Sequence, residues 1–155
     1  MDKKRDDKQS LTSKTKIKMT NQIYSCLWFD GQAKAAADFY CSIFKDGKII
    51  TENPMVVIFE INNTKFMGLN GGPMFKPTEG VSFVVECASQ EEIDNYWNKL
   101  TADGGQESMC GWLKDKFGFS WQIIPANIGA LLSKPNAMQA LMKMKKIDIA
   151  SLENA

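Results

Sequence analysis

The sequence predicts an α+β fold of two similar halves followed by a C-terminal helical extension. Each half opens with a run of β-branched and aromatic residues, continues with a helical apolar stripe and ends in shorter strand-like runs. Phe39-Tyr40 and Tyr96-Trp97 hold matching places in the two helices, so the halves repeat in pattern rather than in identity. A chain of 155 residues is long enough to bury one core, which favours a single domain.

The first half is predicted over about residues 21–73. A strand over residues 23–29 stops at Asp30-Gly31, and Gly47 closes the helix that follows. The helix is predicted from apolar residues at helical spacing: Ala36, Phe39, Tyr40, Ile43 and Phe44. Three strand-like runs come next, over residues 48–51, 55–61 and 64–70. Gly71-Gly72-Pro73 then breaks the chain in a turn.

The second half is predicted over about residues 79–125, with a strand over residues 81–87. Ser89 and Glu92 form a capping box that opens a helix. The apolar stripe of that helix is Ile93, Tyr96, Trp97 and Leu100. After Gly104-Gly105 the pattern predicts only two further strands, over residues 107–113 and 119–124, joined by a turn over residues 115–118. The second half therefore looks shortened.

The C-terminal helices are predicted over residues 127–153, in segments 128–132, 137–144 and 147–152. Met138, Leu141 and Met142 share one face of the middle segment, which Pro135 introduces. A methionine-rich stripe is typical of packing, so we expect it to cover the domain or to contact a second copy of the chain.

The N-terminal residues 1–18 are predicted to be a disordered tail because they are highly charged and contain no aromatic residue. The domain proper is expected over residues 19–155, and Met19 is an alternative start. The tail holds seven of 19 basic and three of 18 acidic residues, so the remainder carries a net charge of −3. The single arginine, Arg5, also lies in the tail. Such a body lacks the basic surface of a nucleic-acid binder.

The chain also lacks the marks of a membrane or secreted protein. It has no apolar stretch near the length of a membrane span, and no apolar region follows the basic N-terminal residues. We therefore expect a cytoplasmic protein with no membrane partner. The four cysteines contain no C-x-x-C pair, which favours reduced thiols over a zinc site or disulfides. There is no histidine, so imidazole chemistry is excluded.

Several segments resemble one family. The longest is residues 110–125 (CGWLKDKFGFSWQIIP), and the others are 26–31 (CLWFDG), 69–75 (LNGGPMF) and 142–149 (MKMKKIDI). They resemble the PhnB-like branch, often labelled 3-demethylubiquinone-9 3-methyltransferase, of the vicinal oxygen chelate superfamily, which includes glyoxalase I and bleomycin-resistance proteins. The resemblance covers about residues 21–155. It implies two paired βαβββ modules, a curved cup-like mixed sheet and a homodimer.

The resemblance also points to site positions. Metal-dependent members place histidine on the first strand of each half, and glutamate or a similar ligand on the last. In the second half these positions fall on Ser82 and Gln122. In the first half they stay open between neighbours, Ser25 or Cys26 and Asn70 or Gly68. Hydroxyl and amide groups are weak ligands for a divalent transition metal, so we expect no metal and no cofactor.

Strand alternation adds candidates for the same cup. It places Ser120 and Gln122 on one face and Trp121 on the other, and it groups Ser82 with Val84 and Glu86. Four aromatic residues could line an apolar pocket, namely Trp28, Phe75, Trp112 and Phe119. Trp28 and Trp112 are preferred because they lie in family motifs, and the alternative for each of the four is a place in the core.

Two residues are candidates for catalysis. Glu86 could act as a base if burial raised its pKa, although a strand-end glutamate is more often solvated. Cys110 could act as a nucleophile if a lysine such as Lys114 lowered its pKa, and the alternative is an inert thiol. A methyltransferase of the usual α/β kind needs a glycine-rich strand-to-helix turn and a parallel sheet, and the sequence predicts neither.

The preferred functional interpretation is a PhnB-like protein that binds a small organic molecule in a metal-free cup, with Ser25, Trp28, Asn70, Ser82, Trp112 and Gln122 as ligand contacts. The alternative is a superfamily enzyme of lyase, isomerase or dioxygenase type, either metal-free or with an unusual metal site, that acts on a small organic substrate. A third interpretation is a dimeric structural protein whose cup is vestigial.

Overall fold

The computed structural model describes residues 21–155. The tail predicted over residues 1–18, and the alternative start at Met19, lie outside these residues. The first half contains β1 (Ser25–Phe29), α1 (Ala33–Ile43), β2 (Lys48–Glu52), β3 (Val56–Ile61) and β4 (Thr64–Asn70). The second half contains β5 (Ser82–Cys87), α2 (Gln90–Thr101), β6 (Gln106–Glu107), β7 (Trp112–Lys114) and β8 (Ser120–Pro125). Three short helices follow, α3 (Ile128–Leu132), α4 (Ala137–Leu141) and α5 (Ile149–Glu153).

Each half folds its four strands into a separate mixed sheet with the same order. The order is β1-β4-β3-β2 in the first sheet and β5-β8-β7-β6 in the second. The first and last strands of each half pair in parallel, and the remaining pairs are antiparallel. The helix between the first two strands of each half is the crossover that this parallel pairing requires. The predicted α+β fold of two βαβββ modules is confirmed.

One strand prediction is wrong. Residues 107–113 do not form a single strand but a tight turn between β6 and β7. Cys110 has φ of 60° and Gly111 has φ of 83°, both in the left-handed region where the chain reverses. A side chain at Gly111 would also meet the carbonyl oxygen of Ile123 at 2.8 Å. The second half therefore has a full set of four strands and is not shortened.

The two helices begin in different ways. At α2 the predicted capping box is confirmed, since Ser89 Oγ accepts a hydrogen bond from the Glu92 amide at 3.2 Å. The Glu92 carboxylate reaches back to the amide of Ala88 at 2.8 Å rather than to that of Ser89. At α1 no residue of the helix supplies the cap, and the Asn70 side chain accepts from the Ala33 amide at 2.9 Å instead. A residue of β4 thus starts the first helix.

The inner face of each sheet, defined here as the face that packs against the helix of its own half, contributes to one shared core. Eight contacts between aromatic rings cross from the first half to the second. Four of them join Phe29 to Phe119, Phe44 to Tyr96, Phe44 to Trp121 and Phe66 to Phe83, with ring centroids 5.1–5.4 Å apart. Such offset and edge-to-face pairs bury large apolar areas. The two halves are therefore held together by their inner faces.

A buried carboxylate adds a polar connection between the halves. Asp115, in the turn between β7 and β8, is only 2% exposed. Its Oδ2 accepts hydrogen bonds from the hydroxyl of Tyr40 at 2.7 Å and the indole of Trp121 at 2.8 Å. Its Oδ1 accepts from the amides of Phe117 and Phe119. Four donors offset much of the cost of burying this group.

The C-terminal extension has its own small apolar cluster of Leu131, Ala137, Leu141, Ile147 and Leu152. It is attached to the second half through backbone hydrogen bonds, from the Cys110 amide to Met144 and from the Gly111 amide to Lys145, both 2.7 Å long. Of the predicted methionine-rich stripe, Leu141 is buried, while Met138 and Met142 are exposed. Leu141 therefore covers this domain, and contact of Met138 and Met142 with a second copy of the chain stays a prediction.

Over residues 21–155, none of the helices combines the length and apolar character needed to cross a bilayer.

Candidate functional site

Several of the predicted ligand contacts lie on the outer face of a sheet, which is the face turned away from the helix of its own half. In the second sheet the burial alternates along β8, with Trp121 and Ile123 buried in the core and Gln122 half-buried on the outer face. This is the alternation predicted from the sequence. Ser82, Val84 and Glu86 of β5 lie on the same outer face as Gln122, because Ser82 and Val84 pair in register with Ser120 and Gln122.

A hydrogen-bonded pair lies on this second outer face. The Gln122 side-chain nitrogen donates to Ser82 Oγ at 2.9 Å across the parallel β5–β8 pair. Gln122 has Val84 as its register partner on one side and Trp112 on the other. The structure thus brings together three of the predicted ligand contacts, Ser82, Trp112 and Gln122, with an apolar side chain on either side of the amide.

The first outer face is mainly apolar, with Glu60 and Lys65 as a charged register pair, whereas the second carries polar side chains. The apolar part of the first face is formed by side chains that alternate with the buried ones of β1, β3 and β4, namely Cys26, Trp28, Ile58, Met67 and Leu69. Trp28, a predicted ligand contact, is half-buried on this face. Its indole donates to the carbonyl of Gly72 at 2.8 Å, and the exposed ring of Phe75 packs edge-on against it at 4.9 Å.

Two predicted first-half contacts do not share the outer face. Asn70 points to the inner side, where its carbonyl caps α1 and its amide nitrogen donates to the Pro54 carbonyl at 2.9 Å. Gly68 is also on the inner side, since a side chain there would meet the methyl group of Ala33 at 3.1 Å. Ser25 has the parity of buried Leu27 and is exposed at the start of β1. Of the alternatives left open, Cys26 is the residue on the outer face.

The predicted aromatic candidates divide between site and core. Trp112 and Trp28 are each on an outer face, and Phe75 contacts Trp28. Phe119 instead packs against the buried ring of Phe29 at 5.3 Å. The alternative of a place in the core therefore holds for Phe119.

The two catalytic candidates lie in different surroundings. Glu86 is exposed on the outer face of β5, in the solvated setting that was the alternative to a buried base. Cys110 is in the β6–β7 turn, where its thiol approaches the carbonyl of Leu141 in the C-terminal extension at 3.6 Å. The structure therefore directs Cys110 towards the extension rather than towards Ser82 and Gln122.

A cleft of about 220 Å³ lies beside the pair, lined by residues of β6, β7 and β8 and by Glu79 of the segment that links the halves. Lys114 of β7 forms an ion pair with Glu79 at 2.5 Å across it. The hydrogen bond from Lys114 holds the pKa of the Glu79 carboxyl below its usual range. Ser120, the register partner of Lys114, also lines the cleft and is 2% exposed. Its hydroxyl has no hydrogen-bond partner within the described residues.

The side chains at the family's ligand positions do not fit a divalent metal ion. Ser82 and Gln122 offer a hydroxyl and an amide, and burial raises the pKa of the Cys26 thiol, which disfavours the thiolate that a metal needs. Across residues 21–155, no three cysteine, aspartate or glutamate side chains come together in a group that could hold a metal ion. Such a neutral donor set would not repay the desolvation of a dication.

Comparison with known proteins identifies the family. A family model described as 3-demethylubiquinone-9 3-methyltransferase matches residues 21–124. The chain belongs to this family. A solved structure of the PhnB protein from Bacillus cereus, which carries the same methyltransferase description, is 30% identical over 66% of this chain and 98% of its own, with a TM-score of 0.60. No curated protein matches the chain in sequence.

Two more distant structures show the wider fold. A glyoxalase-related enzyme from Fulvimarina pelagi is 18% identical over 67% of this chain and 87% of its own, with a TM-score of 0.50. The fosfomycin resistance protein FosX from Listeria monocytogenes, solved with manganese and sulfate, is 15% identical over 70% of this chain and 91% of its own, with the same TM-score. Both likenesses show that this chain shares the fold of these glyoxalase-related and fosfomycin-resistance proteins.

Sequence reasoning missed the ion pair between Lys114 and Glu79. Alternation along β7 would have placed Lys114 on the face of Trp112, had the strand been predicted with its correct ends. Glu79 has no such signal, because residues 71–81 form neither strand nor helix. The unpartnered hydroxyl of Ser120 could be found only from the folded chain.

Proposed function

We propose that this PhnB-like protein binds a small organic molecule, without a metal ion, on the outer face of its second sheet. The observation that carries the proposal is the 2.9 Å hydrogen bond between Gln122 and Ser82. It fixes two polar side chains next to Trp112 at positions where the family resemblance places ligand contacts. A few oriented polar groups beside apolar and aromatic side chains are typical of small-molecule sites.

The chemistry of the pair supports recognition by hydrogen bonding. Since Gln122 donates one N–H to Ser82, its carbonyl oxygen and second N–H remain for a ligand, as does the hydroxyl hydrogen of Ser82. Trp112 and Val84 on either side supply apolar contact. An uncharged pair of this kind suits hydroxyl, carbonyl or amide groups on an organic ligand. The methyltransferase activity in the family's description is not part of the proposal, because each sheet contains one parallel and two antiparallel pairs.

We propose further that two chains associate as a homodimer, with the apolar outer face as part of the contact or of the ligand cup. The ring contacts between the halves use inner-face side chains, so the outer faces remain available to a second copy. Exposed large apolar residues on and beside the outer faces, such as Met55, Phe75 and Val84, support this. Light scattering should give twice the chain mass, and a monomer at micromolar concentration would refute the association.

The binding proposal is tested by thermal-shift screening against a metabolite and antibiotic panel, with protein purified without a tag. We expect at least one ligand to raise the Tm, and Gln122→Leu to abolish that rise. Gln139→Leu, a change of the same type at an exposed position of α4, serves as the control and should leave the rise intact. The absence of any hit would overturn the proposal, and an unchanged rise in Gln122→Leu would move the site elsewhere. Stoichiometric metal in the purified protein would contradict the metal-free part.

A further inference from the structure

We infer that the cleft beside Gln122 recognises a carboxylate of the bound molecule through the ammonium of Lys114. Glu79 forms an ion pair with Lys114 in the free protein, and the carboxylate of the ligand displaces it. The inference rests on the proposed function and adds the charge class of the ligand. It depends on three features of the same cleft: one fixed cation, one carboxylate already seated on it, and one buried hydroxyl without a partner.

The first feature is the isolation of Lys114. It is the single basic residue in the four strands of the second sheet. Its position on β7 is held by pairing with Gln106 on one side and Ser120 on the other. A lysine on the central part of a sheet presents its ammonium from a rigid backbone, which suits a point contact to an anion.

The second feature is the carboxylate that already contacts this lysine. Glu79 reaches Lys114 at 2.5 Å from the segment between the two sheets, and both side chains are open to solvent. An ion pair in contact with water stabilises a protein little, so its replacement by another carboxylate costs little. Glu107, the other acidic residue of the cleft, is already engaged by the Trp97 indole at 2.9 Å and by Lys145 at 3.4 Å. Once Glu79 is displaced, the ammonium of Lys114 is therefore the charged group in the cleft that is free to contact a ligand.

The third feature is the hydroxyl of Ser120. The hydroxyl is buried, and Ser120 itself lines the cleft and lies directly across the β7–β8 pair from Lys114. A buried polar group without a partner costs stability, and an acceptor on a bound ligand would remove that cost. A carboxylate can accept from the ammonium of Lys114 with one oxygen and from the hydroxyl of Ser120 with the other. Hydrogen bonds to a charged acceptor of this kind are the stronger ones.

The remaining shape of the cleft favours a compact molecule with a ring. Trp112 lines it together with Lys114, and the volume of about 220 Å³ suits a ligand with a single ring. An aromatic monocarboxylate places its ring against Trp112 and its carboxylate towards Lys114 and Ser120. Benzoate is the simplest probe with these two parts, and benzamide has the same shape without the charge.

The experiment is an NMR titration of ¹⁵N-labelled full-length protein with benzoate and, separately, with benzamide. We expect benzoate to shift the amide signals of Lys114, Ser120 and Trp112, and to bind about tenfold more tightly than benzamide. Lys114→Met should remove that advantage and leave the Kd of benzamide unchanged. Glu79→Gln should tighten benzoate binding several-fold, because the internal competitor is lost, and Ser120→Ala should weaken it several-fold. Lys34→Met removes a lysine that pairs with Asp38 on α1 and should change neither Kd.

The outcomes separate this inference from the proposed function. If benzoate and benzamide bind with equal affinity and shift signals on the outer face of the second sheet, recognition of a carboxylate is refuted. The proposed binding site on that face is then retained. A benzoate Kd that Glu79→Gln leaves unchanged overturns the displacement of Glu79. Shifts confined to other parts of the chain, or none with benzoate, overturn the inference. Thermal-shift hits that Gln122→Leu does not affect overturn the proposed function as well.

Discussion

The two sheets of this protein have the same strand order and similar inner faces, but their outer faces differ. The first outer face carries Trp28 and Met67 among other apolar side chains, whereas the second carries the hydrogen-bonded pair of Ser82 and Gln122 with Lys114 nearby. Both inner faces are buried in one core, where any change must be accommodated by tightly packed neighbours. The outer faces have no such constraint within the chain. The difference teaches that the contacts that stabilise the fold lie between the two sheets, whereas the polar side chains proposed for binding lie on the second outer face.

The largest expected effect is on the shared core. Asp115→Ala should lower the free energy of unfolding by about 3 kcal/mol or more, because Tyr40 and Trp121 would lose their common buried acceptor. Urea denaturation measures the change. Glu86→Ala, at an exposed carboxylate of the second outer face, is the control and should stay within about 0.5 kcal/mol of the wild type. If both variants lost the same free energy of unfolding, the inner faces would not be more important for stability than the outer faces.

The same carboxylate predicts a pH dependence. Burial raises the pKa of Asp115, against the opposing effect of the hydrogen bonds from Trp121 and Tyr40. The folded protein then holds this proton at pH values where the unfolded chain, with a pKa near 3.8, has released it. The contribution of Asp115 to stability is therefore present below that value and is lost as the pH rises through the raised pKa.

The test compares wild type with Asp115→Asn, which cannot titrate. We expect the stability advantage of the wild type to shrink as the pH is raised from 3.8 through the raised pKa of Asp115. Urea denaturation at a series of pH values measures it. An advantage that grows over this range would show that the hydrogen bonds outweigh burial and that the pKa is lowered.

An intermediate effect is expected at the rim of the first outer face. A side chain at Gly71 would lie 2.1 Å from the ring of Trp28, so Gly71→Ala must displace that ring and the exposed Phe75 against it. The expected loss is about 1–3 kcal/mol, with a changed near-ultraviolet circular dichroism of tryptophan. Gly129→Ala meets nothing within 4 Å and is the matched control. Unchanged ligand binding in Gly71→Ala would confirm that this rim serves the first face alone.

The smallest effect on stability is expected on the second outer face. Ser82→Ala removes one half-buried hydrogen bond and should cost about 1 kcal/mol or less. It should nevertheless reduce the Tm rise produced by a ligand, because Gln122 loses the group that orients it. Ser42→Ala, at an exposed hydroxyl of α1, should change neither quantity. If Ser82→Ala lowered stability as much as Asp115→Ala, the pair would be a structural feature rather than a binding one.

Local patterns predicted much of the fold because each of them acts over a few residues. The stripe from Ile93 to Leu100 is buried in α2, and Ser89 caps that helix. Alternation along β8 placed Gln122 opposite Trp121. The turn at Cys110 and Gly111 was missed, since a left-handed conformation at a cysteine has no compositional signal.

Register and partnership across the chain required the folded protein. A one-residue uncertainty in β1 left Ser25 and Cys26 as rivals, because one step along a strand turns a side chain to the opposite face. Asn70 was expected beside a ligand and instead caps a helix far away in sequence.

The sequence by itself determined the two-module α+β fold, the lack of imidazole chemistry and a polar outer face around Ser82 and Gln122, because composition and strand alternation are local properties. Only the tertiary structure decided three features. Asp115 of the second half accepts a hydrogen bond from Tyr40 of the first, Glu79 forms an ion pair with Lys114, and the buried hydroxyl of Ser120 has no partner within the described residues. These features depend on the distances between segments remote in the chain, and such distances are set by the packing of the whole core rather than by any one segment.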